Sequence, residues 1–221
     1  FGAKMYSGSN LTSQGPGSDG DNADFNFQSD IYPYYENQSS YSNPNLNYSV
    51  FSENIIYLNE RMSLSPGVRF EYIKTSSDGQ YNLINTDNAD NIILDSIVTV
   101  NQLRERSFLL FGLGYSFKIS KFIEFYSNCS QNYRAVTFSD INIVNPSFVI
   151  NPNISDESGY TFDFGFRGNY KDFIFYDLSS FYLLYNNRIG FIQKEYNGAV
   201  KNEKGNVGDA RISGYEFLFN F

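Results

Sequence analysis

Stretches of alternating hydropathy, rich in Tyr and Phe, are joined in this chain by connections that are short and long in turn. Three-residue turns fall at Asn59-Glu60-Arg61, Ile119-Ser120-Lys121 and Tyr170-Lys171-Asp172. The long connections run over about 7–45, 76–104, 135–157 and 191–205. Tight turns at one end of the strands and large loops at the other are how a transmembrane β-barrel connects its strands. A soluble sandwich has no reason to hold that asymmetry through successive hairpins. The rhythm predicts an antiparallel barrel wall in an outer membrane.

Composition agrees with strands. Of the 221 residues, 19% are aromatic, with 19 Tyr and 22 Phe, and such residues favour a pleated sheet. No run approaches the ~18–20 apolar residues of a membrane helix. A mean hydropathy of −0.39 fits a barrel, in which only every second residue meets lipid. One cysteine, Cys129, and no histidine leave almost nothing to ligate zinc or a redox metal, so no cofactor is expected. A net charge of −8 argues against nucleic acid as a partner. The acids gather in the predicted loops, at Asp19, Asp21, Asp24, Asp30 and Glu36, then Asp87, Asp90 and Asp95, where a solvated surface explains them.

About eight strands are predicted, at 1–6, 46–58, 62–73, 106–118, 121–134, 159–167, 172–186 and 206–221. In the third, Leu64, Pro66, Val68, Phe70 and Tyr72 share one face, opposite Ser63, Ser65, Gly67, Arg69 and Glu71. The polar face then points into a wet lumen. Pro66 lacks an amide proton, which predicts a bulge or a weak pairing there. In 106–118, Leu109, Phe111, Leu113, Tyr115 and Phe117 face lipid, while Phe108 and Leu110 interrupt the inner face. The cleanest alternation is Tyr160, Phe162, Phe164 and Phe166 against Thr161, Asp163, Gly165 and Arg167. Segment 172–186 is apolar at both parities, and its faces cannot be assigned from sequence.

Four stretches, in order, resemble the TonB-dependent receptors of Gram-negative outer membranes. The first runs from Phe51-Ser52-Glu53-Asn54 through a short turn into Pro66-Gly67-Val68-Arg69-Phe70-Glu71. The second is Gln131-Asn132-Tyr133-Arg134-Ala135, with Val136 where the family usually carries proline. The third is Asn151-Pro152-Asn153-Ile154-Ser155-Asp156-Glu157, with Asp156 in place of another proline, followed by Gly165-Phe166-Arg167. The fourth is Asn206-Val207-Gly208-Asp209-Ala210, then Gly214-Tyr215-Glu216. The first pair is most similar to the ferric-citrate branch.

The resemblance implies that residues 1–221 are part of a barrel of 22 strands. A plug domain and the C-terminal strands would lie outside this chain. It also implies a receptor that takes up a scarce nutrient, such as a ferric siderophore or ferric citrate, energised through a TonB-type transducer that engages the plug. The opening Phe1-Gly2-Ala3-Lys4 reads likewise as the end of a strand whose partner lies upstream.

Nothing in the sequence points to catalysis. Asp156 and Glu157 form the one notable carboxylate pair, and a loop turn leading into a strand explains them better than acid–base work. Lumen-facing Arg69, Arg106 and Arg167 are expected to pair with Glu71, Glu124 and Asp163 as a charged ladder. Arg134 and Arg188, at extracellular strand ends, are candidates for holding an anionic chelate, since a guanidinium grips carboxylates bidentately. Tyr34 and Tyr35, in the Gly/Ser/Asn-rich first loop, either stack on a ligand or cap the loop base. A complete small barrel with a structural or adhesive role is the competing reading. Eight strands leave an interior just filled by side chains.

Overall fold

A computed structural model of the chain describes residues 1–15, 35, 38–142, 148–171, 173–196 and 199–221. Its strands are β1 (Gly2–Gln14), β2 (Ser39–Glu53), β3 (Ile56–Asn59), β4 (Met62–Thr86), β5 (Ile92–Lys118) and β6 (Glu124–Arg134). They continue with β7 (Phe148–Ile150), β8 (Glu157–Tyr170), β9 (Ile174–Tyr196) and β10 (Ala199–Asn220). One helical turn, α1 (Phe138–Ile141), lies between β6 and β7. All strands join one sheet in the order β1-β2-β4-β5-β6-β8-β9-β10-β7, with β3 beside β4. Every pairing is antiparallel except that of β7 with β10.

This is the predicted all-β barrel wall, and its sheet is open. A closed small barrel would need β1 to pair with β10. Among the described residues no ladder joins them: β1 opens the strand order, and β10 stands near its other end, followed by β7.

Register confirms which side chains share a face. Val68 sits beside Phe111, Leu113 beside Cys129, Cys129 beside Phe162, and Phe125 beside Phe166. The row is uncovered by protein, with Phe111 55% and Phe164 52% exposed. A continuous apolar face of that kind suits hydrocarbon. The register also resolves β9. Leu178 and Tyr182 lie beside Phe166 and Phe162 on the lipid face, so Phe175, Asp177, Ser179, Phe181 and Leu183 point inward. Glycine makes room for the bulky members of that inner row. A Cβ on Gly214 would lie 2.5 Å from the Phe181 ring, and one on Gly165 would lie 2.8 Å from Tyr126.

Pro66 weakens pairing, but on its neighbour. The ladders of β4 with β5 run through it without a shift, while β2 stops at Glu53 and resumes as β3 at Ile56. Backbone groups point alternately to the two sides of a strand. Lys118 N–H donates to Arg61 C=O, which puts the odd residues of β4 toward β5 and the missing amide of Pro66 toward β2. There Asn54 N–H still donates to Pro66 C=O at 3.1 Å.

The long connections differ most from expectation. Residues 76–104 are the upper halves of β4 and β5, turning at 87–91, where Asp87 accepts from Ala89 N–H (2.8 Å) and Asn91 N–H (2.9 Å). Those bonds hold the exposed Asp87 carboxyl below the usual range, led by the Asn91 side chain. Residues 191–205 are likewise strand on both sides of 197–198, and β1 and β2 extend well into 7–45. Above the bilayer neither face must be apolar, so the period-2 signal fades while the backbone ladder continues. About 9–11 residues cross a membrane, and β4 has 25, leaving roughly fourteen to project beyond it. The middle short turn is also longer than expected, spanning 119–123. Asp19, Asp21, Asp24, Asp30, Glu36 and Tyr34 lie outside the described residues.

Candidate functional site at the barrel mouth

Among the described residues, 135–142 and 148–156 form a strap between β6 and β8. It leaves β6, forms α1, lays β7 against the outer part of β10 and returns as β8. The apolar core of the described chain is here, in buried Val136, Ile141 and Ile154, with Ile150 and Ile189 against them. Tyr41 and Ile84 are also buried, beside the upper part of β4, but this cluster is the one within the strap and is what folds it. Asn142 fastens its far side to the wall, donating to Asn43 Oδ1 at 3.1 Å and accepting from the Ser77 hydroxyl.

Carboxylates pin the rest. Asp140 caps α1, accepting from Thr137 N–H at 2.9 Å, and is 2% exposed. It takes a forked contact from Arg134 at 3.0 and 3.1 Å and a bond from Lys204 at 3.0 Å. Burial pushes the Asp140 carboxyl up, but the donors from Thr137 and Lys204 outweigh it and hold it below its ordinary value. Glu157 is the second hub, 4% exposed. It pairs with Arg134 at 3.1 Å and Arg188 at 3.4 Å and accepts Ile189 N–H at 2.9 Å. Asp156 takes Arg106 at 2.8 Å, Val136 N–H at 2.7 Å and the Tyr133 hydroxyl. Arg104 donates to Ile154 C=O at 2.8 Å, and burial beside Arg106 lowers its pKa despite Asp156.

Arg134 and Arg188 are thus brought together on one carboxylate. Each keeps a side chain about two-fifths exposed, at 43% and 42%. The guanidiniums are anchored on Glu157 and keep part of their surface exposed. Tyr35 is half-buried, with its carbonyl accepting from Gln38 N–H (3.3 Å) and Asn82 Nδ2 (3.4 Å) beside the upper β4. β4 stands two places in the strand order from β6, which carries Arg134, and four from β9, which carries Arg188.

The inner-wall charges sort differently from a single ladder. Arg69 pairs with Glu71 on its own strand. Arg167 crosses from β8 to Glu124 of β6 at 3.1 Å. Arg106 goes to the strap, at Asp156. Asp163 has no ion pair among the described residues and lines an inner cleft of about 550 Å³ with Tyr126, Thr161, Ser179, Phe181 and Glu216.

Sequence reasoning missed Asp140, Lys204 and Glu203 and underrated Asp156 and Glu157. Glu203 of β10 is buried against Asn151, Lys194 and Tyr196. Two adjacent carboxylates in an otherwise Ser/Asn loop were the available signal. Their arginine partners lie on three different strands, which spacing along the chain does not reveal.

Comparison with known proteins places this wall. Residues 3–221 match the family model for the TonB dependent receptor-like β-barrel. No curated protein matches the sequence. Among solved structures, the ferric-catecholate import receptor Fiu from Escherichia coli K12 superposes with a TM-score of 0.64 at 12% identity. That match covers 98% of this chain and 31% of Fiu. The hemophore receptor HasR from Serratia marcescens gives 0.63 at 12%, covering 99% and 39%. The ferric yersiniabactin uptake receptor FyuA from Yersinia pestis gives 0.60 at 16%, covering 82% and 25%. The chain therefore spans between a quarter and two-fifths of the length of these receptors, and at such identities the likeness is one of fold.

Proposed function

The chain belongs to the TonB-dependent receptor-like β-barrel family, and from that premise we propose that it forms part of the wall of an outer-membrane nutrient importer. The cargo is a ferric chelate, a siderophore or ferric citrate, and import is energised by a TonB-type partner acting on a plug supplied by the rest of the protein. The remaining barrel strands come from the same source. Outer-membrane location follows from the family and is supported by the uncovered aromatic face.

The observation that carries the cargo assignment is the pair of half-exposed arginines on Glu157. A carboxylate- or catecholate-bearing chelate is anionic, and fixed guanidiniums meet it bidentately without first losing rotamer freedom. Arg134 and Arg188 are the proposed contacts, with Tyr35 and Tyr34 as stacking partners. The inner-wall charges Arg69, Glu71, Arg106, Glu124, Asp163 and Arg167 face the lumen and the plug.

Titration of purified full-length receptor with ferric citrate and with a ferric catecholate, followed by tyrosine quenching, tests the assignment. Saturable binding of one of them, weakened about tenfold or more by Arg134→Ala with Arg188→Ala, is the expected result. Equal affinity of the double variant removes the arginine pair from the binding role.

A further inference from the structure

Above the bilayer, β5 has one neighbour instead of two. Its ladder with β4 is continuous from Leu94 to Phe117, but β6 pairs with it only from Gly112 to Lys118. The first residue beyond that pairing, Phe111, gives its N–H to the Gln131 side chain at 3.0 Å, so odd residues of β5 point their backbone away from β4. Lys118 N–H, bonded to Arg61 on the β4 side, fixes the even residues the other way. Asp95, Ile97, Thr99, Asn101 and Leu103 therefore present backbone donors and acceptors along an edge that no described strand covers. All five are exposed.

Sheet edges are ordinarily blunted by lysine, proline, a bulge or a short strand. Here Ile92 to Gln102 reads Ile-Ile-Leu-Asp-Ser-Ile-Val-Thr-Val-Asn-Gln, β-branched and with Asp95 as its sole charge. Its register with β4 carries no bulge from Leu94 onward. Two other open edges carry a cation or several charges: β1 has Lys4, and β10, beyond the three residues that β7 pairs, has Asp209, Arg211 and Glu216.

We infer that the outer edge of β5, over residues 95–103, is a docking site for an extended polypeptide strand of another protein. The row of backbone groups specifies a strand, since nothing else satisfies alternate N–H and C=O groups at that spacing. Ile97 and Leu103, 43% and 55% exposed, ask for apolar side chains at alternate positions of the guest. Asp95 has no cation partner in the described chain and asks for a lysine or arginine across from it. The added strand continues the sheet directly above β6. This goes beyond chelate uptake and does not depend on it.

The probe is a fluorescent peptide of roughly ten residues, the length of the free edge, alternating valine and threonine with one lysine. It is titrated against the full-length receptor in detergent in three forms: unmodified, and N-methylated on one or the other alternate set of amides. The unmodified peptide is expected to bind, one methylated form to lose on the order of a hundredfold, and the other to keep its affinity. Thr99→Pro, which removes an edge amide without touching the β4 ladder, is expected to abolish binding. Asp95→Lys is expected to weaken it severalfold. Failure of the unmodified peptide to bind overturns the inference. Equal loss or equal retention in both methylated forms also overturns it, because contact would then not run through the edge backbone.

Discussion

Asp140→Ala removes the cap that holds the strap against the wall. In the native chain this carboxylate accepts from Thr137 N–H, from the Arg134 guanidinium at both of its oxygens, and from Lys204. A charge-assisted bond shielded from water contributes about 1.5–3 kcal/mol. Lys204, 18% exposed, keeps most of that, about 2 kcal/mol. Arg134 is 43% exposed and screened, so its share is about 1 kcal/mol. The two together give about 3 kcal/mol, on the order of a hundredfold in the opening equilibrium of the strap. Hydrogen exchange of the full-length receptor reads this directly. Amides of Val136, Ile141 and Ile154 should exchange about a hundredfold faster, while the β8–β9 hairpin is unchanged. Unaltered protection of those three residues would refute the assignment of Asp140 as the fastening.

The same carboxylate sets a pH dependence. Its folded pKa lies below its ordinary value of 3.8, so its contribution is complete above that value and is lost as pH falls through the lower one. Strap protection should be level from neutral pH to about 5 and collapse below about 4; loss already near neutral pH would contradict it. Phe164→Arg places a charge on the lipid face and should destabilise the refolded barrel by about 2–4 kcal/mol. Asp163→Arg, one residue away on the inner wall, should cost far less; urea unfolding in liposomes separates them. Gly214→Val drives a side chain into Phe181 and should lower the same unfolding midpoint, with partial rescue by Phe181→Ala.

How much of this was legible depends on what the membrane demands of each segment. The faces of 62–73 and 159–167 could be read because lipid on one side forces a strict alternation. Above the bilayer that demand ends. Tyr81 to Ile84 and Ile92 to Val100 therefore read as loop in the sequence, although all of them but Ile93 pair across the β4–β5 ladder. In β9 the alternation is masked by Phe175, Phe181 and Leu183 on the inner wall, and the glycine that accommodates Phe181 lies on the next strand, thirty-odd positions downstream. Glu157 could be seen as half of an acidic pair. That it would gather Arg134 and Arg188 depends on β6, β8 and β9 standing side by side, which is a property of strand order.

Uptake of radiolabelled ferric citrate and ferric catecholate by intact cells carrying the full-length receptor, with and without a proton uncoupler, tests the central claim most directly. The account predicts accumulation of one chelate that requires the receptor, saturates, and stops when the proton gradient is dissipated. Accumulation that persists with the uncoupler, or that is the same in cells lacking the receptor, would contradict an energised importer built on this wall.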